Sequence, residues 1–217
     1  PSIISKICNE NNLDQFIHIS ALGIDQAKDS KYAKSKLDGE QKIKENFEQA
    51  TILRPSVIYS VDDNFTTSFM TMLNMLPFFP LYYNGKTKFI PIHVSEVSDI
   101  ILYIIEKNIS SEIIECVGLQ EYSFKEILQK LLQLINKNKI LVPLPLMIGK
   151  IMARFLEMFP KPLLTLDQLK LLNYNNILSG KYKSNFDIGL DPKLKFEEEV
   201  AKYCHMWKDG GEYSKEI

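Results

Sequence analysis

A strand that ends in serine, followed twelve residues later by tyrosine and lysine on one helix face, constrains this chain more than any other feature. Residues 16–20, Phe-Ile-His-Ile-Ser, are rich in β-branched and aromatic side chains and alternate in part between apolar and polar, which reads as a strand. Residues 21–30 form a polar connection containing Gly23, Asp25 and Asp29. A helix follows, with Asp29 or Ser30 as its N-cap. Ser20 then closes a strand, and Tyr32 and Lys36 lie four apart on the helix that succeeds it.

Those three residue types suit carbonyl chemistry. A phenol titrates near pH ~10, too high for efficient proton transfer at neutrality. An ammonium beside it favours the phenolate and lowers that value. A strand-terminal hydroxyl can hydrogen-bond a substrate oxygen as charge develops on it. Ser20, Tyr32 and Lys36 are therefore the candidate catalytic residues, as orienter, acid/base and electrostatic tuner. Tyr-x-x-x-Lys itself is unspecific and occurs three times, at Tyr32/Lys36, Tyr82/Lys86 and Tyr103/Lys107. The second pair straddles Asn84-Gly85, a hairpin-turn signal. The third has Pro91 at the position twelve residues upstream, and only the first has a serine there.

Around this pair, His18-Ile-Ser-Ala-Leu-Gly23, Ser35-Lys-Leu-Asp-Gly-Glu40 and Ala50-Thr-Ile-Leu-Arg-Pro-Ser56 follow at close spacing. Gly85-Lys-Thr-Lys-Phe89, His93-Val94, Pro143-Leu-Pro145 and Leu164-Thr-Leu-Asp-Gln-Leu-Lys-Leu-Leu172 come after them. The set resembles the short-chain dehydrogenases/reductases, and within them the atypical branch of the NAD(P)H-binding accessory subunit of respiratory complex I and its bacterial relatives. The resemblance runs from about residue 14 to 200. It implies an NADP or NAD cofactor held by Tyr32 and Lys36. It also implies that the segment after the second strand passes beside the nicotinamide ring, placing Pro55, Ser56 and Val57 in the cofactor site. Without the resemblance, Pro55 simply ends a strand.

The glycines decide what a phosphate cradle could be built from. A dinucleotide fold opens with strand, Gly-rich turn and helix, whose N–H groups hold pyrophosphate. The nine glycines, at 23, 39, 85, 118, 149, 180, 189, 210 and 211, contain no G-x-G-x-x-G or G-x-x-G-x-x-G. Residues 2–11 read as the tail of a helix leading into the first strand. The expectation is a C-terminal fragment whose first strands and cradle lie upstream, and which alone binds NAD(P)H poorly and aggregates. A formal net charge of −1 gives no electrostatic reason to expect nucleic acid. Cys8, Cys116 and Cys204 lie far apart without C-x-x-C, and the three histidines are equally scattered, so no metal site is expected. No secretory or transit signal opens the chain, and no apolar run reaches the ~18 residues of a membrane span.

Along the chain, a helix is expected over residues 30–47, with Gly39 tolerated by close packing and Glu40 paired to Lys44 in solvent. Residues 50–54 read as a buried strand of a parallel sheet. A helix over 65–76, a hairpin around Asn84-Gly85 and a helix to about 107 capped by Ser95 follow. His93 is read as a packed or hydrogen-bonded residue. Residues 112–117 form a short strand, and Ser123-x-x-Glu126 opens a helix to about 135 with a capping box. Residues 140–164, the most apolar stretch, read as an amphipathic helix carrying Lys150, Arg154 and Glu157. Its apolar face either covers the lobe's own core or docks on a membrane arm or bilayer surface. Helices from Thr165 to about 172 and over 196–207 precede a polar, mobile tail from Lys208.

The expected fold class is α/β: residues 1–110 as the C-terminal part of a Rossmann-type parallel sheet, and residues 111–217 as a smaller, mainly helical lobe. Two functions stand open. One is a dinucleotide-binding, non-turnover subunit associated with respiratory complex I. The other is a working reductase or epimerase/dehydratase acting on a small carbonyl or nucleotide-sugar through Ser20, Tyr32 and Lys36. The resemblance implies a cytoplasmic protein, or one peripheral at the inner membrane (on the matrix side in a eukaryote).

Overall fold

A computed structural model describes residues 1–160 and 162–214. In chain order the elements are α1 (Ser2–Glu10), β1 (Ile17–Ile19), α2 (Lys31–Asn46), β2 (Thr51–Pro55), β3 (Ile58–Tyr59), α3 (Thr66–Met75), β4 (Phe78–Leu81), β5 (Lys88–Phe89), β6 (Ile92–His93) and α4 (Val94–Glu106). Then come β7 (Ile113–Cys116), β8 (Tyr122–Ser123), α5 (Phe124–Leu134), β9 (Ile140–Pro143), α6 (Leu146–Leu156), α7 (Leu166–Leu171), β10 (Lys183–Ser184) and α8 (Phe196–Ala201).

β1, β2, β7 and β10 form one parallel sheet in that order. β7 and β10 lie beyond residue 110, so the sheet draws on both segments expected from the sequence. Every residue of β2 is buried, as a strand covered on both faces requires. Leu53 packs with Val97, Ile100 and Ile104 of α4. Arg54 points the other way and pairs with Glu40 of α2. Burying one such leucine contributes about 1.5–3 kcal/mol. The second core, larger and rich in aromatic rings, gathers α3, α5, α8 and the short strands around Phe79, Phe89, Phe124 and Trp207. On α5, Ser123 and Glu126 close the expected capping box, and Phe124, Ile127, Leu128, Leu131 and Leu132 are the buried stripe.

Five local expectations are corrected. No hairpin forms around Asn84-Gly85: β4 pairs in parallel with β9, and β5 pairs antiparallel with β8. Tyr83, Asn84 and Gly85 instead take φ of 51°, 55° and 66° in a 3-10 turn. Residues 140–143 are consequently strand, and Pro143 and Pro145 delay the helix to Leu146. The α4 cap is His93, whose Nδ1 accepts from Ser95 N–H, rather than Ser95. Glu40 is buried against Arg54, while Lys44 donates to Ala50 O at 2.7 Å. The last helix stops at Ala201 and resumes as a 3-10 turn over Cys204–Trp207.

The tail is tied down as far as it is described. Tyr213 packs on Trp207 with ring centres 4.9 Å apart, and Asn74 donates to its carbonyl. Residues 215–217 of the expected mobile tail lie outside the described residues.

Candidate functional site

β1 lies parallel to β2, and pairing continues past its end: Ser20 N donates to Leu53 O at 2.7 Å and Leu22 N to Pro55 O at 2.9 Å. This holds Ser20 at the strand end with only 4% of its surface exposed. Its hydroxyl has no hydrogen-bond partner among the described residues. A buried hydroxyl without a partner costs free energy, so an orphan of this kind calls for an explanation.

α2 begins eleven residues later. Ser30 caps it, its Oγ accepting from Ala33 N–H at 3.2 Å. Tyr32 and Lys36 share the face towards Ser20: Lys36 Nζ lies 5.8 Å from the Tyr32 ring centre and donates, at 3.4 Å, to the carbonyl of Ile19, the residue before Ser20. Tyr32 is 45% exposed. The three candidate residues are thus brought together at one sheet end. The electrostatic expectation is reversed, because burial pushes the Tyr32 phenol above its usual value. On β1, burial and then the Lys36 ammonium push His18 below its usual value, against the opposing pull of Glu40.

Pro55, Ser56 and Val57 leave the end of β2. Ser56 N donates to Cys116 O at 2.8 Å, and the Val57 carbonyl accepts from Ile92 N–H. The Ser56 hydroxyl donates to Asn176 Oδ1 at 2.6 Å, and Asn176 Nδ2 donates to Leu22 O at 2.8 Å. Asn176 therefore bridges the end of β2 to the loop after Ser20. Gly23 in that loop has φ of +77°, and a Cβ there would lie 3.1 Å from Asn175 O. Val57 packs against the large aromatic core.

Two features escaped the sequence reading. Arg54, buried, donates Nε and Nη2 to Glu40 and Nη1 to Asp25, and lies 4.6 Å from the Tyr182 ring centre. Burial would lower its pKa, but the hydrogen bonds and charges of Glu40 and Asp25 outweigh that and raise it. An arginine inside an otherwise apolar strand was the available signal, since buried charges must be paired. The second feature is Asp167 of α7, which accepts from the backbone N–H of Lys31 and Tyr32 and from the Ser30 hydroxyl. Burial alone would raise its pKa, yet those three donors hold it below the usual value.

The residues present suit one part of a dinucleotide. The unpartnered Ser20 hydroxyl, the Tyr32 phenol and the Lys36 ammonium form a compact set of groups for a hydroxyl-bearing ligand such as a nicotinamide ribose. For pyrophosphate, no glycine-rich fingerprint exists among the nine glycines. Among the described residues, no three His, Cys, Asp or Glu side chains gather as metal ligands.

On the far side of α7, α6 is built inside out. It buries Gly149 and Ala153, and a Cβ on Gly149 would lie 2.3 Å from the ring of buried Tyr82. The large apolar side chains point outward: Met147 is 75% and Met158, just past the helix end, 80% exposed, with Ile151, Phe155 and Phe159 beside them. Lys150 and Arg154 flank this stripe, and the helix carries no acidic residue. A groove of about 560 Å³ runs between α6, α7 and the start of α2. No helix among the described residues is long and apolar enough to cross a membrane.

No family model matches the chain. It is 25% identical over 192 residues to the mitochondrial NADH-ubiquinone oxidoreductase 40 kDa subunit of Neurospora crassa, covering 87% of this chain and 50% of that protein. It is 25% identical over 214 residues to the mitochondrial NADH dehydrogenase [ubiquinone] 1 alpha subcomplex subunit 9 of Mus musculus, covering 95% of this chain and 56% of that one. The chain thus spans about half the length of the curated relatives it matches. Among solved structures, dTDP-glucose 4,6-dehydratase from Bacillus anthracis in complex with NAD aligns with a TM-score of 0.68 at 14% identity, covering 97% of this chain and 67% of that one. UDP-glucuronic acid 4-epimerase from Bacillus cereus, in complex with UDP-glucuronic acid and NAD, aligns at 0.62 with 18% identity, covering 94% and 65%. In sequence the chain is similar to these mitochondrial NADH dehydrogenase subunits, and in fold it is similar to these NAD-bound epimerase and dehydratase structures.

Proposed function

We propose that this protein is an NAD(P)(H)-binding accessory subunit of respiratory complex I, in which the dinucleotide has a structural rather than a reactive role. The observation that carries the nucleotide part is the buried, unpartnered Ser20 hydroxyl beside Tyr32 and Lys36. A dinucleotide would bring hydride chemistry to such a site. The chain's own residues would orient it: Tyr32 and Lys36 would hydrogen-bond the nicotinamide ribose, Ser20 would be the third polar group of the set, and the backbone of Pro55, Ser56 and Val57 would bound the ring.

The non-turnover part rests on the phenol. Burial raises its pKa, and the hydrogen bond that Lys36 makes goes to Ile19 O at 3.4 Å. Such a group hydrogen-bonds well at neutral pH but is poorly matched to acid/base catalysis. The relatives' printed names support association with complex I, and α6 offers the surface. Its apolar stripe with cations on one flank suits a subunit with an apolar, acid-rimmed face. The proposed location is the inner membrane, on the matrix side in a eukaryote.

Native electrophoresis of solubilised host membranes tests the assembly. The protein is expected to co-migrate with complex I, and the combined Met147→Ser, Ile151→Ser and Met158→Ser variant to be lost from it at unchanged thermal stability. If the variant stays with the complex, α6 is not the contact. Flotation of the wild type with lipid vesicles, lost in the same variant, would assign the face to the bilayer instead.

A further inference from the structure

We infer that Asp167 is a positioning residue for Tyr32, so that a carboxylate on α7 sets how tightly the nicotinamide half of a dinucleotide is held; this rests on the dinucleotide reading above. Asp167 sits in the first turn of α7, a helix that does not need it. Thr165 Oγ1 already accepts from Gln168 N–H at 3.1 Å, and Gln168 Oε1 from Thr165 N–H at 2.9 Å. The carboxylate serves α2 instead. Its Oδ1 accepts from Lys31 N–H at 2.8 Å, and its Oδ2 from Tyr32 N–H and the Ser30 hydroxyl, each at 2.9 Å. Ser30 Oγ, its proton thus committed, turns its lone pair to Ala33 N–H. Three otherwise unpaired N–H groups of the first turn are therefore satisfied, two of them from across the molecule.

The same stretch grips the preceding residue. Lys170 Nζ donates to Asp29 O at 3.0 Å, and the Tyr174 hydroxyl donates to Asp29 Oδ1 at 2.9 Å. A few residues on, Asn176 ties Leu22 to Ser56. Residues 165–176 thus form a strap that meets both the loop after Ser20 and the turn that starts α2. Tyr32 is the one candidate site residue whose own backbone N–H is held by this strap. Its phenol projects from the first turn, where the missing backbone bonds make a helix most easily frayed, whereas Lys36 lies a turn deeper. Releasing Asp167 therefore loosens the phenol first.

The test compares two ligands on the full-length protein by calorimetry: NADH, which carries the nicotinamide riboside, and ADP, which lacks it. Asp167→Asn has similar size but presents an amide in place of one carboxylate oxygen. It is expected to weaken NADH about tenfold, about 1.4 kcal/mol, while ADP moves by less than roughly twofold. In the Tyr32→Phe background the further loss from Asp167→Asn should largely vanish, since both act through one phenol. Equal weakening of both ligands, or of neither, overturns the proposal by reducing Asp167 to a helix cap. A wild type that binds ADP but not NADH overturns the dinucleotide reading and this inference together, whereas normal NADH binding by Asp167→Asn overturns this inference alone. Should Asp167→Asn fail to fold, Tyr174→Phe removes one outer bond of the same clamp. A smaller loss confined to NADH is then expected, and no loss overturns the proposal.

Discussion

At the scale of single residues, the ion cluster around Arg54 fastens the sheet to the site helix. Its guanidinium serves two carboxylates, Glu40 on α2 and Asp25 in the loop after Ser20. Removing one partner strands a buried charge, which typically costs about 3–5 kcal/mol. Glu40→Gln and Arg54→Met are each expected to lower stability by that order in urea unfolding. The double variant is expected to recover part of the loss, because the only charge left unpaired is that of Asp25, whose side chain is 29% exposed. Strictly additive losses would mean that the cluster is not a coupled unit. The sequence showed the members but not the pairing: Glu40 looks like an exposed partner for Lys44 because helix spacing is the only geometry a sequence displays. The orphan hydroxyl of Ser20 is equally invisible there, since its isolation comes from burial by residues far along the chain.

At the scale of elements, two helices are inverted. α6 buries Gly149 and Ala153 and exposes Met147, Ile151 and Phe155; α1 buries Ser5 and exposes Ile3, Ile4 and Ile7. Small residues let each helix approach its neighbour closely, so the large apolar side chains remain outside as surfaces. Gly149 is the tight point under α6. Gly149→Ala is expected to destabilise by about 1–3 kcal/mol, by overpacking against Tyr82. Adding Tyr82→Leu should relieve part of that in thermal melts. A neutral Gly149→Ala would show that α6 rides loosely on the Tyr82 ring.

Elements whose signals are local were legible: the buried, mostly apolar β2, the Ser123/Glu126 capping box, and the strand–loop–helix holding Ser20, Tyr32 and Lys36. The Asn84-Gly85 hairpin failed because a turn signal says nothing about whether its flanking strands have better partners. β4 finds one in β9, just over sixty residues away. Asp167 was hidden for the same reason, acting on a helix 135 residues earlier.

For the whole molecule, a parallel sheet carries the site at one end, and a strap from the second half of the chain closes over it. On its other side the strap packs against α6 around Tyr82, Ala153 and Leu169. The proposed nucleotide site and docking face therefore share α7, which gives an accessory subunit a way to couple bound dinucleotide to attachment. The central claim is that Ser20, Tyr32 and Lys36 hold a dinucleotide without reacting it. Calorimetric titration of the full-length protein with NADH and NADPH, beside Lys36→Met, tests it most directly when paired with an absorbance assay for cofactor oxidation by a panel of aldehydes and ketones. Binding of at least one cofactor is predicted, weakened about tenfold or more by Lys36→Met, with no cofactor oxidised by any carbonyl. Oxidation abolished by Tyr32→Phe, or wild-type affinity in Lys36→Met, would contradict the account.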